Sequence, residues 1–272
     1  MNFNSVIVCA LLSVFCLSFA LAQDLPKVDL PLKENFHLFL LAGQSNMAGR
    51  GIVGGEDRQV HPRVLALSKD GVWKPAVDPI HFDKPIAGVG PGRSFGIVLA
   101  DGQTNITVGL IPAACGGSAI ADWDPGVYYV PTTSHPYDDA IKRAKAAMQV
   151  GTLKAILWHQ GETDCTNTLA PAYRERLSML IARFRKDLDA PNLPVIIGQL
   201  AQFDKAPWND ATRAVNAAQI AVAHEVPHVA FVESTGLTPL NTMAEDPHFG
   251  AAAAREFGKR YAAAYLRLGQ MP

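Results

Sequence analysis

The chain has 272 residues, of which 49% are hydrophobic and 18% are charged. This apolar content excludes a disordered chain, because disordered chains lack the apolar residues that build a core. The 24 Lys and Arg residues nearly balance the 25 Asp and Glu residues, so the sequence lacks the basic character of a nucleic-acid-binding protein.

An apolar run over residues 6–22 comes first along the chain. The run is long enough to span a bilayer, and an uncleaved anchor is one interpretation. However, it ends in Ala20-Leu21-Ala22 followed by polar residues, a pattern typical of a signal-peptide cleavage site. We therefore expect residues 1–22 to be a signal peptide, residues 23–272 to form a single domain, and the protein to be secreted or periplasmic. After cleavage, no membrane contact is expected.

Five continuous apolar runs predict buried parallel strands, at residues 37–42, 106–113, 155–158, 195–200 and 229–232. Amphipathic stretches predict helices between and after them, at residues 93–101, 137–150, 170–188, 210–224 and 251–268. This alternation predicts an α/β fold, a three-layer αβα sandwich with a central parallel sheet of about five strands. Such sheets bind ligands at the carboxyl ends of their strands, so the chemistry is expected in the loops there.

The loop after the first strand contains Gly43-Gln44-Ser45. Gly43 permits a tight turn into a helix, and Ser45 at the start of that helix suits a nucleophile whose own N–H helps to bind an oxyanion. A serine that only caps the helix is the alternative. After the second strand, Gly116-Gly117 lets the backbone approach a ligand closely, although a plain turn would also explain the pair.

The loop after the third strand reads Trp158-His159-Gln160-Gly161-Glu162-Thr163-Asp164. The Gln160 amide could donate a hydrogen bond, and Glu162 could accept one from an imidazole. The His and acids of this loop match no standard metal-ligand spacing, so neither a metal nor another cofactor is expected. Among the eight histidines, His248 has the best context for a general base, because it lies in a loop beside acids just before the last helix.

Taken in order, these blocks resemble the SGNH hydrolase superfamily, in the branch that contains sialate O-acetylesterases and carbohydrate esterase family six, which includes acetyl xylan esterases. The resemblance rests on five segments, which are Gly43–Gly49, Gly88–Gly96, Gly116–Trp123, Trp158–Asp164 and His248–Gly258. It implies a flavodoxin-like fold, Ser45 as nucleophile and His248 as base. It also implies an oxyanion hole formed by the N–H groups of Ser45 and Gly117 and the side chain of Gln160.

The acid that orients His248 is the ambiguous member of the expected triad. The superfamily usually carries Asp three residues before the histidine, where this chain has Glu245, while Asp246 lies two residues before it. In the resembling branch the glutamate of the His-Gln-Gly-Glu block can also serve. We therefore expect Glu162 to be the acid, with Glu245 and Asp246 as alternatives.

The expected function is removal of acetyl groups from O-acetylated oligo- or polysaccharide, such as acetyl xylan. A sialate O-acetylesterase, or an esterase for another small acyl group, is the alternative within the esterases. From other classes, an inactive carbohydrate-binding module and a metal-dependent hydrolase are the alternatives.

The mature chain keeps two cysteines, Cys115 and Cys165, each just after a predicted strand. Export to an oxidising compartment would allow a disulfide between these two loops, and we expect that bond. Two separate buried thiols are the alternative.

Overall fold

The computed structural model describes residues 28–204, 207–241 and 246–270, so the predicted signal segment lies outside the described residues. The strands are β1 (Phe36–Gly43), β2 (Val64–Leu67), β3 (Trp73–Pro75), β4 (Thr107–Pro112), β5 (Thr152–His159), β6 (Val195–Gly198) and β7 (Val229–Val232). The helices are α1 (Ser45–Ala48), α2 (Pro91–Gly102), α3 (Pro136–Ala147), α4 (Tyr173–Asp187), α5 (Asp210–Glu225) and α6 (Ala251–Leu268). Short 3-10 turns lie at Lys33–Asn35, Glu56–Arg58, Ile120–Trp123, Val130–Thr132, Glu162–Asp164 and Ala170–Ala172.

The seven strands form one sheet in the order β3-β2-β4-β1-β5-β6-β7. Every neighbouring pair is parallel except β2 with β3, which is antiparallel at the sheet edge. The predicted α/β fold and its five parallel strands are confirmed. The sheet has two more strands than predicted, β2 and β3. The sequence does not reveal them because β2 has only four residues and β3 is a partly exposed three-residue edge strand without an apolar run.

Helices cover both faces of the sheet. On β1, Leu38 and Leu40 pack into a core with α3, α4 and α5, whereas Phe39 and Leu41 pack into a second core with α2 and α6. Successive side chains of a strand point to opposite faces, so a strand covered on both sides is apolar throughout. The three predicted layers follow from this arrangement. Among the described residues, no helix has the length and apolar character needed to cross a membrane.

A glycine turn at the end of β1 fixes where the next residues lie. Gly43 has φ +128°, and a Cβ at this position would come 2.0 Å from the backbone oxygen of His159. The Gln44 N–H also donates to that oxygen at 2.8 Å. Only glycine allows this approach, and it brings the loop that carries Ser45 against the loop that follows β5.

Candidate active site

Ser45 is the first residue of α1 and is largely buried. Its Oγ lies 2.9 Å from Nε2 of His248, a residue 203 positions later in the chain. A serine hydroxyl within hydrogen-bond distance of an imidazole is the arrangement in which the imidazole can remove the hydroxyl proton. The structure therefore brings the predicted nucleophile and the predicted base together.

The other ring nitrogen of His248 faces Asp246. Nδ1 lies 2.6 Å from Asp246 Oδ1, and the same oxygen accepts the backbone N–H of His248 at 3.0 Å. The second carboxylate oxygen accepts from the side chain of Asn241 at 2.5 Å. The imidazole is a quarter exposed, so a ligand can reach it. Ser45, His248 and Asp246 thus form a continuous hydrogen-bonded chain.

Glu162 occupies a different position from the one expected. Among the hydrogen bonds of the described residues it has none to His248; its Oε1 accepts from Asn46 Nδ2 at 2.7 Å and lies 3.3 Å from His159 Nε2. The structure therefore places Asp246 on the imidazole where the sequence favoured Glu162. The other alternative, Glu245, lies outside the described residues.

The environment of Glu162 keeps it ionised. Burial alone would raise the pKa of this carboxyl, but the neighbouring His159 and the Asn46 amide outweigh that cost and hold the pKa below its usual value. Glu162 is therefore an acceptor at neutral pH.

Two residues of the nucleophile block, Gln44 and Asn46, were not singled out from the sequence. Asn46 contacts Glu162 and the residues on both sides of His248. Gln44 Oε1 accepts from Gln160 Nε2 at 3.2 Å and from the Gly161 N–H at 3.3 Å. The sequence signal that could have found them is their position: both are polar and lie directly beside Ser45.

Gly117 lies in the loop after β4, has φ +86°, and is exposed. The neighbouring Gly116 N–H donates to Asp83 Oδ2 at 2.9 Å, and that carboxylate also pairs with Arg50 at 2.8 Å in a buried ion pair. Within the described part of the chain, the N–H groups of Ser45 and Gly117 donate no hydrogen bond. Both donors are therefore free to bind an oxyanion.

The Gln160 side chain differs from its predicted role. Its amide nitrogen is fully buried and donates to Ser118 O at 3.0 Å and to Asp164 Oδ2 at 2.6 Å, besides Gln44. An amide nitrogen has two hydrogens, so these acceptors use its whole capacity. Burial raises the pKa of the Asp164 carboxyl, and the Gln160 hydrogen bond partly offsets that effect. In this geometry Gln160 ties together the loops after β4 and β5, and its amide is not presented to a ligand.

The two cysteines are separate thiols, which corrects the expected disulfide. Cys115 Sγ contacts Ser134 Oγ at 3.6 Å, whereas Cys165 Sγ contacts the backbone oxygen of Gly161 at 3.2 Å. The two side chains line different recesses of the surface. Burial raises the pKa of the Cys115 thiol to about 11 and that of Cys165 to about 12, so both are protonated and weakly reactive at neutral pH.

Two recesses adjoin these loops. A cavity of about 440 Å³ is lined by Cys115 of the loop after β4 and by Asp83 of the segment between β3 and α2. A cavity of about 230 Å³ borders the histidine loop at Pro247. Trp208 lines the smaller cavity. Among the described residues, no group of three or more His, Cys, Asp or Glu side chains is arranged to hold a metal ion.

Comparison with known proteins identifies the family. The sequence model of the carbohydrate esterase, sialic acid-specific acetylesterase family matches residues 35–267. The chain belongs to this family. It is therefore an esterase that removes acetyl groups from carbohydrates.

Relatives and solved structures agree with that assignment. A probable carbohydrate esterase of Arabidopsis thaliana is 33% identical to this esterase over 265 residues, which is 90% of this chain and 95% of the relative. The X-ray structure of that Arabidopsis protein superposes with a TM-score of 0.74 at 30% identity, covering 87% of this chain and 99% of the other. A carbohydrate acetylesterase of Xanthomonas citri shares the fold, with a TM-score of 0.67 at 21% identity over 86% of this chain and 56% of the other.

Proposed function

We propose that this esterase is exported and removes acetyl groups from O-acetylated polysaccharide such as acetyl xylan, through a triad of Ser45, His248 and Asp246. The observation that carries the mechanism is the continuous chain of hydrogen bonds from Ser45 Oγ through the imidazole to the Asp246 carboxylate. No cofactor is required for this chemistry.

In the first half of the reaction, His248 Nε2 removes the proton from Ser45 Oγ as the oxygen attacks the acetyl carbonyl. The N–H groups of Ser45 and Gly117 bind the resulting oxyanion, because they lie after β1 and β4 and donate no hydrogen bond within the described residues. The bond between the carbonyl carbon and the sugar oxygen then breaks, and His248 gives its proton to that oxygen. The deacetylated sugar leaves and an acetyl-serine remains.

In the second half, His248 removes a proton from water as the water oxygen attacks the acetyl-serine. The bond to Ser45 Oγ breaks, His248 returns the proton to that oxygen, and acetate leaves. Asp246 keeps the imidazole in the tautomer with its proton on Nδ1 and stabilises the imidazolium formed in each half. A short, doubly anchored carboxylate suits this role, because Asp246 is itself held by the His248 N–H and by Asn241.

The polymer substrate is proposed from the predicted signal peptide together with the carbohydrate esterase family, because an exported enzyme meets polysaccharides that a cell does not import whole. A sialate O-acetylesterase is the second candidate. The family match favours it, since the matching family is the sialic acid-specific acetylesterase family.

Acetate release from acetylated xylan, acetylated pectin and an O-acetyl sialic acid tests the proposal. We expect the wild type to release acetate fastest from xylan and Ser45→Ala to release almost none, with Ser68→Ala as a matched control that behaves like wild type. A serine-directed fluorophosphonate should label the wild type once, at Ser45. Preference for the sialic acid would select the second candidate. Labelling at Ser94 or Ser118 instead of Ser45 would contradict the mechanism, and no hydrolysis at all would favour a carbohydrate-binding protein.

A further inference from the structure

The residue that follows the nucleophile contacts the histidine loop from two sides. Asn46 Nδ2 donates to the backbone oxygen of Pro247 at 2.9 Å, and Asn46 Oδ1 accepts the backbone N–H of Phe249 at 3.1 Å. Pro247 and Phe249 are the two chain neighbours of His248. One side chain on the nucleophile helix therefore holds the backbone immediately before and immediately after the catalytic base.

The orientation of the Asn46 amide is fixed by a third partner. Its Nδ2 also donates to Glu162 Oε1 at 2.7 Å. If the amide were flipped, its oxygen would face the Glu162 carboxylate and the Pro247 carbonyl, both acceptors, and its nitrogen would face the Phe249 N–H, a donor. Only one orientation satisfies all three contacts. Asn46 is 4% exposed, so water cannot easily replace a lost partner.

Other contacts hold the remainder of the loop without reaching the imidazole. The Leu240 N–H donates to His248 O at 2.7 Å, and the Phe249 ring packs edge-on against Phe203 and Phe257. These contacts retain the loop on the protein. Asn46 is different because it links the loop directly to the helix that presents Ser45, and so it bears on the distance between Nε2 and Oγ.

We propose that Asn46 is a positioning residue that keeps His248 on Ser45 by holding both of its backbone neighbours, and that Glu162 acts by orienting the Asn46 amide. The inference rests on the proposed triad and assigns to Glu162 a role other than that of the triad acid. It explains why a buried, ionised carboxylate contacts the residue that follows the catalytic serine but not the base.

The physical basis is that proton transfer between two side chains depends steeply on their separation. A displacement of about 1 Å can cost about 10²-fold in rate. Asn46→Ala removes the three contacts together, so kcat should fall about 10²-fold while KM changes less than twofold, because the buried Asn46 amide is already occupied by Glu162, Pro247 and Phe249. The rate of fluorophosphonate labelling of Ser45 should fall by a similar factor.

Variants of Glu162 separate orientation from charge. Glu162→Gln keeps an oxygen that can accept from Asn46 Nδ2, and we expect kcat within about threefold of wild type. Glu162→Met keeps the size but removes the acceptor, and kcat should fall about 10- to 10²-fold. The difference between the Met and Gln variants then measures the effect of the acceptor. The double variant Asn46→Ala/Glu162→Met should be no slower than Asn46→Ala alone, because the two residues act as one unit.

The test measures kcat, KM, labelling rate and melting temperature for these variants, with Asn216→Ala as a matched control away from the site. The His248 Nδ1 proton resonance of the folded protein supplies a further readout, which Asn46→Ala should broaden or shift and the Asn216→Ala control should leave unchanged. Folded Asn46→Ala with kcat within threefold of wild type, or full additivity in the double variant, would overturn the proposal. If Asn46→Ala does not fold, Glu162→Met against Glu162→Gln decides the same point. A wild type that neither hydrolyses acetyl esters nor is labelled at Ser45 would instead show that the proposed function fails.

Discussion

The carboxyl end of β5 and the loop that precedes α6 each pair a histidine with a carboxylate, but the two pairs are placed differently. His248 and Asp246 are partly exposed, and their imidazole reaches Ser45 Oγ. His159 is fully buried, with its ring packed against Phe249 and Phe257, and its partner Glu162 reaches Asn46. The presence of a histidine beside a carboxylate therefore does not by itself indicate a catalytic role. Access to ligand and contact with the serine decide the role.

Replacing each histidine in turn should give the largest difference in activity between the two pairs. His248→Ala should lower kcat by about 10⁵- to 10⁶-fold, as loss of the base does in other serine hydrolases, with little change in melting temperature. His159→Ala removes a buried ring, so it should lower the melting temperature by several degrees and cost less than about 10²-fold in kcat. Rate assays on the purified variants check both values, with exposed His224→Ala as the control. The reverse pattern would mean that the buried pair is the catalytic one.

Gln160 offers a sharper test within the buried loop. Gln160→Ala would leave Ser118 O without a donor, and it would remove one of the two donors of Asp164 Oδ2 and of Gln44 Oε1, which keep the Ile120 and Gly161 N–H groups. An unpaired buried acceptor costs about 1–3 kcal/mol, and a lost hydrogen bond to a charged group costs about 1.5–3 kcal/mol. We expect the free energy of unfolding to fall by about 2–4 kcal/mol and kcat, measured well below the melting temperature, to fall less than about tenfold.

Chemical denaturation and initial rates of Gln160→Ala supply the two numbers, and Gln149→Ala on the surface is the control. Unchanged stability combined with a loss of about 10²-fold or more in kcat would return Gln160 to the oxyanion hole.

Asp78 shows what burial does to a carboxyl that has no imidazole beside it. One of its oxygens has no partner among the described residues, and burial raises its pKa to about 7. The unfolded chain loses this proton near pH 4, whereas the folded protein keeps it until about pH 7. The stability gained from the raised pKa is therefore complete below about pH 4 and is lost as the pH rises through 7.

Asp78→Asn cannot ionise and avoids that loss. Its advantage in unfolding free energy over wild type should grow between pH 5 and pH 8, by about 2–3 kcal/mol. Denaturant melts at the two pH values measure this change, and exposed Asp70→Asn should show no such trend. An advantage that is equal at both pH values would contradict the assigned pKa.

The fold was largely readable from the sequence because β1, β4, β5, β6 and β7 are covered on both faces and are therefore continuous apolar runs. β2 is just as buried, but a run of four residues cannot be told from part of a buried helix. β3 is an edge strand with exposed positions and carries no such signal.

The site was readable in part. Ser45 and His248 stand out by their places at strand and helix ends, and the structure brings them within 2.9 Å. The acid could not be predicted from the sequence. Glu245 and Asp246 are near His248 in the chain, and Glu162 follows a strand that ends at the same edge of the sheet, so each of the three could reach the imidazole. The choice depends on how the histidine loop curves, and the short side chain of Asp246 meets Nδ1 only because its own Oδ1 also accepts the His248 N–H. Spacing along the chain does not encode that curvature.

The most direct test compares kcat of Asp246→Asn and Glu162→Gln in variants whose melting temperatures match the wild type. Asn at position 246 no longer offers a charge to the imidazolium and can stabilise the wrong tautomer, so we expect a fall in kcat of about 10³- to 10⁴-fold with KM little changed. Gln at position 162 can still orient Asn46, and kcat should stay within about threefold of wild type. If Glu162→Gln abolishes turnover while Asp246→Asn keeps it near the wild-type value, Glu162 is the triad acid and the account given for Asp246 is contradicted.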